Sequence, residues 1–479
     1  MSSESAESAT PLVDAVRQAR SENRHALQIP GHKYRYAQDV NAVGYALLHD
    51  LVRDDMPLQG GADDLAGTHR LLEEAEALYA AAIGATHTRF SIGGSSQANI
   101  AAMLAISSPG RRVAVDRTSH RSVLAGLVLS GAVPEWIFPD VHPEFGLPVG
   151  VQPSSVSAID VDVTAVFVTS PTYVGTIGDI EGLAKAAHGL GVALMTDQAW
   201  GAHLDYLPGR GALANGADIA VTSIHKALMG YSATAIVSTR GDRIDKHRLD
   251  RALDLVATTS PSATLYASID ATRQVMVTEG VTAMHRAIEA VAQIRATLSK
   301  VPGLVVIDDD TAGCLVDPLK LTLWLPRTGV TGTTLNDALW ELGISVESAD
   351  SDSLIMTISP IDEPVWIVAM GQLLADLINK HRGEARKPTP IATWQVRPEV
   401  AMTPRDAMFA PRRRIAMADA VGEVSAEQFC PYPPGVPLIG PGELVTEQLV
   451  EAVRIAGTLG RVAYCSDPTL ATIEIVDNP

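Results

Sequence analysis

The sequence predicts an α/β protein: a large domain on a mainly parallel sheet, then a small α+β domain and a C-terminal module. Three observations carry this. From about Thr68 onward, short β-branched apolar runs alternate with amphipathic stretches of helical spacing. The runs are apolar without interruption, as in strands covered by helices on both faces. The pattern then changes near Val301-Pro302-Gly303-Leu304, and again across Glu384–Asp406, which is rich in Pro and charge.

In chain order, residues 1–10 read as a disordered tail. Pro11–Arg20 has the apolar spacing of a short helix with Pro in its first turn. Leu71–Ile83 and Ala98–Ile106 are helices by their three- and four-residue repeat. Arg112–Val115, Trp136–Phe138, Ala165–Thr169, Val192–Thr196 and Ile219–Thr222 are the strand candidates. A long helix is expected around Ala283–Leu298. Strands at Leu304–Ile307, Leu321–Leu325, Ile344–Val346 and Leu354–Thr357, with a helix near Thr334–Leu342, make up the small domain. The expected division is an N-terminal segment 1–67, a large domain 68–300, a small domain 301–383, and a linker with C-terminal module 384–479.

Composition removes several function classes. The 479 residues carry 37 Lys plus Arg against 55 Asp plus Glu, a net charge of −18, so the surface field repels nucleic acid and anionic membrane. Three scattered cysteines, Cys314, Cys430 and Cys465, form neither a disulfide framework nor a zinc knuckle, and no metal site is expected. The acidic N-terminus is unlike a signal peptide, and no apolar run is long enough to span a bilayer, so a cytoplasmic protein is expected. Arg412-Arg413-Arg414 reads as a solvated or locally paired surface.

The chemistry is sought past the carboxyl ends of the strands, where open α/β sheets bind ligands. Ser91-Ile92-Gly93-Gly94-Ser95-Ser96-Gln97-Ala98-Asn99 opens a helix. Its glycines permit close backbone approach, and its hydroxyls and free N–H groups suit a phosphate, although such runs are also ordinary N-caps. Val115-Asp116-Arg117-Thr118-Ser119-His120 runs from a strand into a His. Asp197 ends the Val192–Thr196 run, ahead of Gln198-Ala199-Trp200-Gly201-Ala202-His203, where an acid can pair with a cationic ring nitrogen or simply cap a turn. Ile219–Thr222 leads into Ser223-Ile224-His225-Lys226. Desolvation there would lower the Lys226 pKa and make it a Schiff-base nucleophile; the plain alternative is a Lys that reaches solvent. Together, a phosphate cradle, an acid, a His and a buried Lys describe a pyridoxal 5′-phosphate (PLP) site.

At these residues the chain resembles the fold-type-I PLP enzymes and, within them, the prokaryotic ornithine/lysine/arginine decarboxylase family. The resemblance extends from Pro30-Gly31-His32-Lys33 and Ala62-Asp63-Asp64-Leu65 to Pro431-Tyr432-Pro433-Pro434-Gly435-Val436-Pro437 and Pro441-Gly442-Glu443. It is to the shorter members, without an N-terminal wing domain. It implies that Lys226 bonds the cofactor and later returns a proton, that Asp197 pairs with the pyridine nitrogen, and that His120 and Ala199 pack on the two ring faces. It further implies that Ser95, Ser96, Gln97, Ser223 and His225 hold the phosphate, and that Trp200 and His203 lie beside the ring. A homodimer or higher homo-oligomer with a small-molecule amino acid substrate is implied as well.

Glu443 is either the partner for a substrate's distal cation or simply an exposed acid, and Asp54 and Asp55 are weaker candidates. The sequence departs from the family pattern at Val174 (usually Asp), Gly93 (Asn), Ile224 (Thr) and Tyr34-Arg35 (glycines). The leading expectation is decarboxylation of lysine, arginine or ornithine. A related aminotransferase or oxidative deaminase, and a non-catalytic PLP-binding regulator, are the competing readings.

Overall fold

The computed structural model describes residues 8–22, 30, 32–33, 52, 55–58, 63, 70–389, 396–432, 435–458 and 462–477. The expectations for residues 1–7, for Tyr34-Arg35 and for Asp54 lie outside these. After helix α1 (Pro11–Ser21) and helix α2 (Leu71–Ala82), the chain enters a seven-stranded sheet. Its strands are β1 (His87–Ser91), β2 (Arg112–Asp116), β3 (Val133–Ile137), β4 (Val163–Thr169), β5 (Ala193–Asp197), β6 (Ile219–Ser223) and β7 (Ala235–Thr239), in the order β1-β7-β6-β5-β4-β2-β3. Strands β2 to β6 are parallel, and β7 runs against both β6 and β1. The carboxyl ends of β1, β2, β4, β5 and β6 therefore share one edge of the sheet.

The apolar runs became strands because both faces are covered. Val113, Val115, Phe167, Met195 and Val221 face one core with helices α3 (Gly94–Ile106) and α4 (Arg121–Ser130). Ala114, Val166, Val168 and Leu194 face another with helix α5 (Ile180–Gly189). The expected Trp136–Phe138 strand is Val133–Ile137, so its register begins earlier. Strands β1 and β7 were not anticipated.

Helix α6 (Lys246–Val256) is followed by α7 (Ala263–Val275), which runs through one π-turn into α8 (Val281–Leu298). A four-stranded antiparallel sheet comes next: β8 (Val305–Ile307), β9 (Lys320–Trp324), β10 (Ser348–Ala349) and β11 (Ser353–Thr357), in the order β8-β9-β11-β10. Helix α9 (Gly332–Glu341) leads to β10, and the strand expected at Ile344–Val346 forms a few residues later, at Ser348–Ala349. Helix α10 (Pro364–Lys380), also not anticipated, lies along α8, where Gly371 lets the two backbones close over Ile294. In the C-terminal region, β12 (Arg412–Ala416) pairs with β13 (Thr472–Val476) beside helix α11 (Glu447–Thr458). The basic run is locally paired, with Arg412 and Arg414 on Glu474 and Arg413 on Glu423. No helix among the described residues is long and apolar enough to cross a membrane.

Candidate active site

A cavity of about 360 Å³ opens at the shared carboxyl edge of the large sheet. Ser95, Ser96, His120, Asp197, Ala199, Trp200, His225 and Lys226 all line it, so residues from four separate strand ends meet in one place.

The turn after β1 places the start of α3 at this cavity. Gly94 takes a positive φ of +72° and its N–H donates to Ala233 O at 2.7 Å, a conformation suited to glycine. Gln97 differs from expectation: its side chain secures the turn instead of facing a ligand. Its Oε1 accepts from Gly93 N at 2.9 Å and Ser91 Oγ at 2.7 Å, and its Nε2 donates to Val256 O. Ser95 and Ser96 and the backbone N–H groups of the helix start are left to face the cavity.

Asp197 is buried at the end of β5. Its Oδ2 accepts from Asn99 Nδ2 at 2.8 Å, and its Oδ1 accepts from Ala199 N at 3.1 Å. Burial pushes its pKa up, while Lys226, Asn99 and the Ala199 N–H pull it down. Asn99 also donates to Ser122 Oγ at 3.1 Å, and Ser122 Oγ lies 2.9 Å from His120 Nδ1. Because Ser122 N donates to the same Nδ1 at 3.2 Å, that nitrogen is an acceptor and the ring proton sits on Nε2. His120 is held neutral: burial first, then Lys226 and Arg121, push its pKa down to about 4. Asn99 is the residue that ties acid and imidazole together, and the sequence reading assigned it no role.

Lys226 sits in the single helical turn Ile224–Ala227 that follows β6. Ile224, one of the departures, is fully buried in the core and anchors this turn. Burial lowers the Lys226 pKa, against Asp197 and the exposed Glu347, which favour its charge. Its Nζ lies 4.1 Å from the centroid of the Trp200 ring. His225 donates through Nδ1 to Thr234 O at 2.8 Å, which turns Nε2 toward the cavity. Ser223 Oγ is buried at the end of β6 with no hydrogen-bond partner among the described residues. Val174 packs with Phe145, Ile307 and Trp324 in an apolar contact between the two sheets.

Two expected substrate residues are used elsewhere. Glu443 forms a buried ion pair with Arg117 at 3.1 Å, accepts from Gly440 N at 2.7 Å and does not line the cavity. An acid so engaged, in a site dry enough that burial raises its pKa, is not free for a substrate cation. His203 is buried against Asp317 at 2.7 Å, joining the large sheet to the approach of β9. Asp55 pairs with His32 at 3.1 Å. Thr118, Thr169, Thr172, Tyr173 and Val436 line the cavity unanticipated. Thr118 and Thr169 stand at or just past strand ends, so the same rule could have found them.

The residues present fit PLP. A glycine-serine turn at a helix start suits a phosphate, an acid set between two donors suits a cationic ring nitrogen, and a neutral imidazole suits a flat ring.

Comparison with known proteins agrees with this geometry. The family described as "Orn/Lys/Arg decarboxylase, major domain" matches residues 10–310, and "Orn/Lys/Arg decarboxylase, C-terminal domain" matches residues 390–461. An arginine decarboxylase of Halalkalibacterium halodurans is 30% identical over 484 residues, covering 98% of this chain and 97% of that protein. The lysine decarboxylase LdcF of Francisella novicida superposes with a TM-score of 0.82 at 19% identity, over 98% of this chain and 81% of its own. A serine palmitoyltransferase of Sphingomonas wittichii shares the fold more distantly, at 15% identity, with a TM-score of 0.54 over 73% of this chain and 85% of its own. The fold is thus the fold-type-I architecture. The two matched regions cover both the sheet that builds the cavity and the C-terminal segment that supplies Val436 to it, and the chain belongs to the Orn/Lys/Arg decarboxylase family.

Proposed function

We propose that this protein decarboxylates a basic amino acid, arginine, lysine or ornithine, to the corresponding amine and CO2, with PLP held at Lys226. The observation that carries the reading is one cavity lined by Lys226, Asp197, His120 and the Gly93–Ser96 turn. Family membership supports the substrate class, and a structural neighbour solved as "SPT with PLP" supports the cofactor.

Ser95, Ser96 and the first N–H groups of α3 would hold the phosphate, with Ser223 and His225 beside them. Asp197 would pair with the ring nitrogen, and Lys226 Nζ would be the covalent anchor of the cofactor, its condensation with the cofactor's aldehyde releasing water. When bound, PLP supplies an acceptor for the electron pair left at Cα as the carboxylate departs. The neutral His120 ring offers a flat surface without charge repulsion. Trp200, Ala199 and Val436 line the cavity with apolar surface, which would favour loss of the substrate's carboxylate from a poorly solvated site. Once the substrate's own amine has displaced it from the cofactor, Lys226 Nζ would be placed to hold the proton that goes to Cα.

The purified protein should be yellow, and borohydride should fix the cofactor's mass on the peptide containing Lys226. Arginine, lysine and ornithine should be assayed for CO2, amine, keto acid and peroxide. Amine and CO2 in equal amounts are expected. Keto acid or peroxide without CO2, or a Lys226→Ala variant that turns over at the wild-type rate, overturns the reading. The family likeness supports a homodimer, and sedimentation at assay concentration tests it.

A further inference from the structure

Lys320 is a buried ammonium with no task in the reaction described above. It opens β9 with its residue 1% exposed. Its stem passes across Gly175, where any Cβ would come within 2.8 Å of Lys320 Cγ. Its Nζ donates to Thr357 Oγ1 on β11 at 3.0 Å. The same Nζ lies 3.7 Å from the centroid of Trp200, the ring that Lys226 Nζ meets at 4.1 Å. The two nitrogens are therefore no farther apart than the sum of those distances, and both meet an indole that lines the cavity.

We propose that Lys320 is a positioning residue for Lys226: it clamps the Trp200 ring by a cation–π contact and holds a second positive charge near the reactive amine, so that the amine releases its proton at lower pH. This rests on Lys226 being the reactive amine. Asp197 from β5 and Glu347 from the segment before β10 face Lys226 and favour its charge, while His120 from the start of α4 is neutral. Like-charge repulsion between the two amines works against those two acids while both amines are charged. Lys320's own acids are Asp317, engaged by His203, and Glu347, and Lys226 repels it. Burial lowers Lys320 to about 8, so its charge acts on Lys226 below that pH and is lost above it. At such separations in a partly buried site, one unit charge moves a neighbouring pKa by about one unit.

The test uses the full chain and two readouts. The visible absorption of the yellow enzyme is titrated with pH, since it follows the proton on the Lys226 nitrogen. In the same chain freed of cofactor, the pH midpoint of Lys226 acetylation by acetic anhydride is read by peptide mass spectrometry. Lys320→Met should raise both midpoints by about one unit, and Lys320→Arg should restore them. Thr357→Val, which removes the ammonium's hydrogen bond and adds to its desolvation, should shift them in the same direction and serves if Lys320→Met does not fold. Unchanged midpoints in a folded variant overturn the proposal. A chain that never turns yellow defeats the cofactor reading instead, and the acetylation midpoint still decides the role of Lys320.

Discussion

Asp197 shows how much of a site a single residue can carry. Strand β5 delivers it to the sheet edge, and two donors, Asn99 Nδ2 and Ala199 N, hold its carboxylate in a site where burial pushes its pKa up. Asp197→Asn should keep the yellow colour and lower kcat by about 10²–10³ with little change in KM, the signature of a lost electrostatic partner; steady-state kinetics check this. Glu443 behaves differently. Glu443→Ala leaves Arg117 buried without its ion pair and should cost about 3–5 kcal/mol, measured by denaturant unfolding. The KM for basic amino acids in the folded fraction should not move. A large rise in KM would return Glu443 to the substrate. Lys226, Asp197 and His120 were legible as candidates because each follows an apolar run. Arg117 was not legible as the partner of Glu443, 326 positions away.

Elements were legible where the period was clean. Helix α2 and strands β2, β4, β5 and β6 were found to within a few residues, because continuous apolar runs between helices have few other solutions. Strand β1 was missed because His87-Thr88-Arg89-Phe90-Ser91 is polar: its partners are Glu76, Asp250 and Ser238 instead of a second apolar face. Helix α2 and strand β1 meet at Glu76, whose Oε1 accepts from Phe90 N at 2.8 Å. Burial pushes Glu76 up from 4.5 to about 7, against the neighbouring Arg89. A carboxyl whose folded pKa is raised contributes stability in full below pH 4.5 and loses it as pH climbs through 7. Glu76→Gln keeps the acceptor for Phe90 without the charge. Relative to that variant, the wild type should lose about 3 kcal/mol between pH 4.5 and pH 7, seen in paired unfolding curves. Parallel curves would contradict it.

The whole molecule encloses its cavity by bringing distant segments together. The C-terminal region adds Val436 to the cavity wall, Gly435 O accepts from Arg121 N at 3.0 Å beside His120, and Glu443 and Leu438 O take up Arg117. A chain ending at residue 389 should therefore lose cofactor on gel filtration and bind PLP at least about tenfold more weakly, since its loss exposes the apolar faces of α4. Retained colour would show that the module is dispensable to the site. The net charge of −18 belongs to the whole chain and singles out no residue of the cavity.

By itself the sequence determined the α/β class, the shift to a second sheet near residue 301, and the strand-end residues that gather around the cavity. Periodicity and residue chemistry at a strand end are local properties, set by neighbours in the chain. Only the tertiary structure decided that Gln97 braces its own turn, that Glu443 belongs to Arg117 and His203 to Asp317, and that Lys320 reaches Trp200. Except for the Gln97 brace, these contacts join residues more than a hundred positions apart, and a buried charge can take any partner that folding brings to it.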